Sequence, residues 1–216
     1  MNIVARLTRR RAGNDRWEPG VWLLPLFLLL AGLSAPALAA DPSAEELIEG
    51  LLSGRASVGG PFELTDHRGR RRTDADYRGK LVILYFGYTH CPDVGPTELQ
   101  SISLALDKLG ATVEAVQPLF VTVDPERDTP ARLAEFVSSF HPRLVGLTGE
   151  PAEIRKTALT YRVFFAKHTE PAGNYPVNHT GFIYFVGKDG RFLGYLPPAA
   201  APDDIEGTIR TLLGPE

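Results

Sequence analysis

The chain reads as an α/β protein, a mixed β-sheet flanked by helices, and three observations predict this. Two apolar runs rich in β-formers, Leu-Val-Ile-Leu-Tyr-Phe at 81–86 and Pro-Leu-Phe-Val-Thr-Val at 118–123, have the uninterrupted apolar character of strands buried on both faces. The stretch between them, 97–109, spaces Leu99, Ile102, Leu106 and Leu109 by three, four and three, an apolar stripe on one side of a helix. Strand, helix and strand in that order make a βαβ unit, whose two strands run parallel. With 216 residues, 44% of them hydrophobic, the chain has the material for one globular domain with a sizeable core.

Residues 1–40 differ in kind from the rest. Arg6, Arg9, Arg10, Arg11 and Arg16 precede an apolar run at 21–33, and Ala37-Leu38-Ala39 supplies a small-x-small pattern. Basic, apolar, small is the layout of an export signal. Residues 21–40 also approach the length of a membrane span, so they are read as a cleaved signal or a membrane tether. Pro25 and Pro36 and the Ala-x-Ala ending favour cleavage. Residues 1–40 carry a net +3 against −3 overall, which leaves −6 on the chain beyond them and argues against a nucleic-acid partner.

Residues 41–60 read as a linker with a short helix: Ser43 and Glu46 are spaced as a capping box, and the helix runs through Leu52 before Gly59-Gly60. A domain at 61–216 follows. Phe62-Glu63-Leu64-Thr65 alternates apolar with polar and leads into Asp66-His67-Arg68-Gly69, a hairpin signal. The next three residues, Arg70-Arg71-Arg72, read as a solvated hairpin strand rather than an anion site. After the second central strand, Asp128 or Thr129 can cap a helix at 130–140. A short strand at 144–147, a helix at 151–161 and a polar loop at 168–176 come next. Residues 182–186 and 192–196 are joined by Gly187-Lys188-Asp189-Gly190 as an antiparallel hairpin, and an amphipathic helix at 203–213 closes the chain. Hairpin, βαβ unit, helix and a ββα ending describe a thioredoxin-like fold.

Cys91, the sole cysteine, falls at the turn between the first central strand and its helix. Pro96 suits the first helical turn and Gly110 the C-terminal cap. A thiol near a helix N-terminus is favoured as thiolate, so this turn is the candidate chemical site. With no second sulfur but Met1, no internal disulfide can form.

Tyr85-Phe86-Gly87-Tyr88-Thr89-His90-Cys91-Pro92-Asp93-Val94, with Pro96-Thr97-Glu98-Leu99, resembles the SCO/SenC family of copper-binding cytochrome c oxidase assembly proteins. The likeness continues in Val121-Thr122-Val123-Asp124-Pro125-Glu126-Arg127-Asp128-Thr129-Pro130 and again at Val177-Asn178-His179-Thr180, and spans 61–213. It implies a thioredoxin-like fold with hairpin insertions, in a protein exported to, or anchored facing, the periplasm. It also implies copper held by two cysteines of a Cys-x-x-x-Cys motif and a distant histidine. By motif position the first cysteine is Cys91 and the histidine His179, while the second cysteine falls on Gly95. The metal ligands expected are therefore Cys91 and His179, a set that suits Cu(I) better than Cu(II). Partners implied are a respiratory oxidase subunit or another copper carrier, for a metallochaperone-like protein rather than an enzyme.

His90 and Asp124 are the nearest candidates for a third donor, although the family pattern makes neither a ligand; Asp124 reads better as a residue that orients one. Two other functions compete: a family member that acts only through protein interaction, and a one-cysteine thiol peroxidase or reductase with Thr89 and Arg127 assisting Cys91. His67, His141 and His168 receive no role.

Overall fold

The structure, a computed structural model, describes residues 42–54, 57–92, 94–168 and 175–214. The expected signal or anchor at 1–40 lies outside the described residues. Helix α1 (Ala44–Leu52) carries the capping box, with Ser43 and Glu46 bonded reciprocally. Its Leu47 and Leu51 are buried, so the helix seats on the body of the protein rather than hanging from it.

Strand β1 (Glu63–Asp66) pairs antiparallel with β2 (Arg71–Thr73). Strand β3 (Leu81–Gly87) then leads into α2 (Val94–Lys108), and β4 (Val116–Thr122) runs parallel to β3 with Tyr85 opposite Phe120. Next come α3 (Pro130–Val137), β5 (Val145–Thr148) and α4 (Pro151–Thr160). Two three-residue strands, β6 (Phe165–Lys167) and β7 (Val177–His179), pair antiparallel as a separate small sheet. The hairpin β8 (Ile183–Val186) and β9 (Phe192–Leu196) and helix α5 (Pro202–Leu213) end the chain. The main sheet runs β2-β1-β5-β4-β3-β8-β9, so the two apolar runs are neighbouring parallel strands in its middle. Among the described residues no helix is long and apolar enough to cross a membrane.

The two-residue period of a strand sorts β3 between two cores. Val82, Leu84 and Phe86 join Ile154, Ala158 and Tyr161 on one face. Leu81, Ile83 and Tyr85 join Leu99, Ile102 and Leu106 of α2, and Ile205 and Ile209 of α5, on the other. All seven residues of β3 are buried, as a central strand requires.

Several element ends move by one or two residues from the sequence reading, and two helix ends move by three. Helix α2 begins at Val94 rather than 97, which takes Gly95 into its first turn. Helix α3 ends at Val137 rather than 140, where Ser138 and Ser139 favour local hydrogen bonding over helix continuation.

Candidate metal centre

The turn after β3 is pinned from three sides. The Cys91 N–H donates to the Tyr88 carbonyl at 3.3 Å. Thr89 donates its N–H and its hydroxyl to Asp128 at 2.9 and 2.7 Å. Asp128 also accepts from the Thr122 hydroxyl at 2.6 Å and is fully buried. One carboxylate thus ties the cysteine turn to the end of β4 and the entry to α3. Read from sequence, Asp128 was a rival for the cap of α3; that cap is Thr129, whose hydroxyl accepts from Arg132 N–H.

Cys91 is half-buried, and its sulfur accepts the N–H of Gly95 at 3.4 Å. An amide of the first helical turn aimed at sulfur favours negative charge there, by the chemistry expected of a helix N-terminus. Gly95 is buried and does not adopt the left-handed backbone. A Cβ placed on it would stand 3.3 Å from the Cys91 Cβ and 3.6 Å from its sulfur. A side chain at 95 would therefore begin its course against the thiol, and glycine leaves that place without a donor.

His179 ends β7, opposite Phe165 of β6. Its ring stands edge-on to Tyr85 and Tyr88, at centroid distances of 6.4 and 5.9 Å. Its Nδ1 lies 3.1 Å from the Thr180 carbonyl, which can only accept, so the proton is on Nδ1 and Nε2 keeps its lone pair. A backbone carbonyl on one ring nitrogen is the usual way a ligating histidine is oriented. Cys91 and His179 thus both meet residues 85–88, at the C-terminal end of β3. The bonds that hold the β6–β7 hairpin there were not foreseen, since three-residue strands carry too few residues to show a period.

Those bonds centre on Asp124. Fully buried, it pairs with Arg127, accepts the Tyr175 hydroxyl at 2.9 Å and meets Lys167 Nζ at 3.2 Å. Arg127 lies 3.8 Å over the Tyr175 ring and donates to the Tyr175 carbonyl at 2.9 Å. Burial pushes the Asp124 carboxyl up, but Arg127, Tyr175 and Lys167 together bring it below the usual carboxylate range. Lys167 and Tyr175 flank the loop of the β6–β7 hairpin, so Asp124 latches the histidine-bearing hairpin to the loop after β4.

These bonds place the remaining candidates. Asp124 is saturated by cations and a hydroxyl and has no side free for a metal. His90 is exposed, with Nδ1 3.1 Å from the Thr89 hydroxyl and 3.7 Å from Asp128. Thr89 and Arg127, proposed as helpers in a peroxidase, are engaged with Asp128 and Asp124. Among the described residues no group of three or more His, Cys, Asp or Glu is gathered to hold a metal.

Beneath the thiol lies a polar pair that the sequence did not announce. Among the described residues the buried hydroxyl of Tyr85 has no hydrogen-bond partner, nor has one oxygen of Glu98, whose other oxygen accepts the Ala199 N–H. Burial raises the Glu98 carboxyl and, with the nearby Glu98 and Cys91, the Tyr85 phenol.

A family model described as SCO1/SenC matches residues 52–214. The chain belongs to the SCO1/SenC family. It is 41% identical over 165 residues to the mitochondrial SCO1 homolog of Homo sapiens, covering 75% of this chain and 55% of that protein. The structure described as Bradyrhizobium japonicum ScoI with copper bound is 43% identical, with a TM-score of 0.68, over 72% of this chain and 99% of that one. BsSco is 26% identical, with a TM-score of 0.58, over 72% of this chain and 93% of that one. It is described as a member of the Sco family of cytochrome c oxidase assembly proteins, with a disulfide switch. The likeness to these structures bears out the thioredoxin-like fold. This chain spans only 55, 60 and 44% of the length of three curated relatives, all named mitochondrial. Those names overturn the expected periplasmic location: an arginine-rich, acid-poor leader is common to export signals and organelle transit peptides, so composition could not separate them.

Proposed function

We propose that this SCO1/SenC protein carries copper as cargo for cytochrome c oxidase assembly, held by the Cys91 thiolate and the His179 Nε2 and passed to or from an oxidase subunit or another copper carrier. The observation that carries the reading is the position of Gly95, whose Cβ direction starts 3.6 Å from the Cys91 sulfur. This is the place of the second thiol in a Cys-x-x-x-Cys site, here without a donor. A thiolate and an imidazole suit Cu(I), which accepts few and soft ligands, and hold Cu(II) weakly. The family's copper-bound structures and the assembly role described for BsSco support the reading, and the mitochondrial names of the curated relatives support a mitochondrial setting for it.

The chain's own parts divide the work. The Gly95 N–H stabilises charge on sulfur, the Thr180 carbonyl keeps the histidine lone pair on Nε2, and the rings of Tyr85 and Tyr88 wall the histidine. A carrier with two protein donors leaves the cargo open to an incoming ligand from the partner, so transfer can begin before either bond to the carrier breaks. Nothing in this scheme requires catalysis.

Titration of the full chain with Cu(I) against competing chelators tests it, with Cys91→Ala and His179→Ala beside wild type. We expect one Cu(I) per chain in wild type and a loss of at least tenfold in each variant. Equal affinity in all three proteins would move the copper to other donors, and no binding in wild type would leave the role to protein interaction alone.

A further inference from the structure

At the opposite end of the sheet from Cys91, the N-terminal ends of β4 and β5 and the β1–β2 hairpin enclose a cavity of about 370 Å³. That volume lies in the range of small-molecule pockets, roughly 300–1,000 Å³. Its wall is basic. Arg68, Arg70, Arg72, Lys80 and Arg143 line it against two acids, Asp66 and Asp76. A net +3 is thus gathered in one concavity of a chain whose residues beyond 40 carry −6 overall.

The hydrogen bonds leave those cations partly uncommitted. Asp66 is fully buried and receives the N–H groups of Arg68 and Arg70, each at 2.9 Å. Arg70 and Arg72 reach it through Nε, at 3.1 and 2.9 Å. An arginine bound through Nε keeps its terminal amino groups for a second oxyanion. Neither guanidinium has a further hydrogen bond among the described residues, and Arg68 and Lys80 have no side-chain partner there. Arg143, by contrast, is spent on Glu114 and on backbone carbonyls. Asp66 therefore acts as a post that aims two arginines. The hairpin arginines form the solvent-exposed strand that their sequence suggested, with Arg70 and Arg72 turned to Asp66 and Arg71 turned to Glu63 and Glu153.

A second observation points to a ligand. The Tyr77 side chain is 8% exposed and lines the same cavity, yet its hydroxyl has no hydrogen-bond partner among the described residues. A buried phenol without a partner costs stability, and an oxyanion held between Arg72 and Lys80 offers the acceptor it lacks.

We propose that this cavity binds a phosphate ester, with Arg70, Arg72, Arg68 and Lys80 on the phosphate oxygens and Tyr77 donating its hydroxyl. The ester comes either from a free metabolite or from a lipid headgroup. This site is separate from the copper reading and stands if that reading fails.

The test uses the full chain and two probes, glycerol 3-phosphate in solution and mixed phosphatidylcholine–phosphatidic acid vesicles. The decisive variant is Arg68→Gln with Lys80→Gln, since neither side chain bonds Asp66 and the hairpin should stay folded, as its unfolding midpoint will report. The control is Arg71→Gln, which removes one positive charge from the other side of the hairpin. Calorimetric titration should show glycerol 3-phosphate binding that falls at least tenfold in the double variant, stays within twofold in the control, and is unmoved by Cys91→Ala. Vesicle capture lost in the double variant but without glycerol 3-phosphate binding also supports the site and assigns a lipid source. No binding to either probe, or equal loss in the double variant and the control, overturns it.

Discussion

The loops that leave β3 and β4 lie side by side and treat their buried polar groups differently. The loop after β4 is complete: Asp124 is buried, and Arg127, Tyr175 and Lys167 occupy it from three directions. The turn after β3 is not. Gly95 places no side-chain donor beside the Cys91 sulfur, and nearby the Tyr85 hydroxyl and one Glu98 oxygen lack partners among the described residues. Under the proposed copper reading, the half that positions His179 is built in full, while the half that would supply sulfur is reduced. This difference teaches that the framework of such a site is held by its own charge network and does not depend on the number of metal donors.

The sharpest way to break that comparison is to empty the latch. Asp124→Ala leaves Arg127, which is mostly buried, without its carboxylate, while Lys167 keeps Glu126 at 2.7 Å. Removing one partner of a buried pair costs about 3–5 kcal/mol, and denaturant unfolding should show a loss of that size. A loss under about 1 kcal/mol would mean that the two loops are equally dispensable. The pH dependence has a fixed sign. The folded-state pKa of Asp124 lies below its unfolded value, so its contribution is present above roughly pH 4 and is lost as pH falls through the lower folded value. Asp124→Asn should therefore flatten the acid limb of the stability profile.

The second test repairs the reduced half. Gly95 is in a helical turn with ordinary backbone, so cysteine is tolerated there. The built Cβ lies 3.3 Å from the Cys91 Cβ, slightly inside the disulfide range of about 3.5–4.5 Å, so a shift of a few tenths of an ångström brings the sulfurs into register. Gly95→Cys should raise Cu(I) affinity about a hundredfold, or about 2.7 kcal/mol, and bring in Cu(II) binding. It should also allow an oxidised form with a Cys91 disulfide, seen as two thiols lost to alkylation. Unchanged affinity would show that an unrecognised donor already fills the position.

How much of this was legible in the sequence follows from how locally each feature is encoded. The two central strands were plain because both faces of each are apolar, and α1 was plain because a capping box is a contact between residues three apart. Cys91 stood out as the lone thiol at a strand-to-helix turn. His179 was legible only through its resemblance to a family motif; on its own, Val-Asn-His is too short to show a strand. The partners of Asp128 and of the arginines around Asp66 stayed hidden for a shared reason. Each carries a local pattern, a cap or a hairpin, whereas its actual partners are set by burial, which spacing does not report.

The smallest expected effect concerns Tyr85. Its hydroxyl is buried against α2 in the second core, with no partner among the described residues, and burial holds the phenol firmly neutral. Burial of an unsatisfied polar group costs stability, so removing the oxygen while keeping the ring should be neutral or favourable. Tyr85→Phe should accordingly leave the unfolding free energy unchanged or raise it by up to about 1 kcal/mol. The ring remains to face His179 edge-on, so Cu(I) affinity should stay within twofold of wild type. The two readouts separate two explanations of the orphaned hydroxyl. A drop in copper affinity without a drop in stability would assign the oxygen to the thiolate or its cargo. The cysteine turn would then be less reduced than its donor set suggests, and the contrast with the Asp124 loop would narrow to the single missing side chain at Gly95. A gain in stability with copper binding intact would fix the contrast as drawn, with the latch satisfied and the floor under the thiol left short of partners.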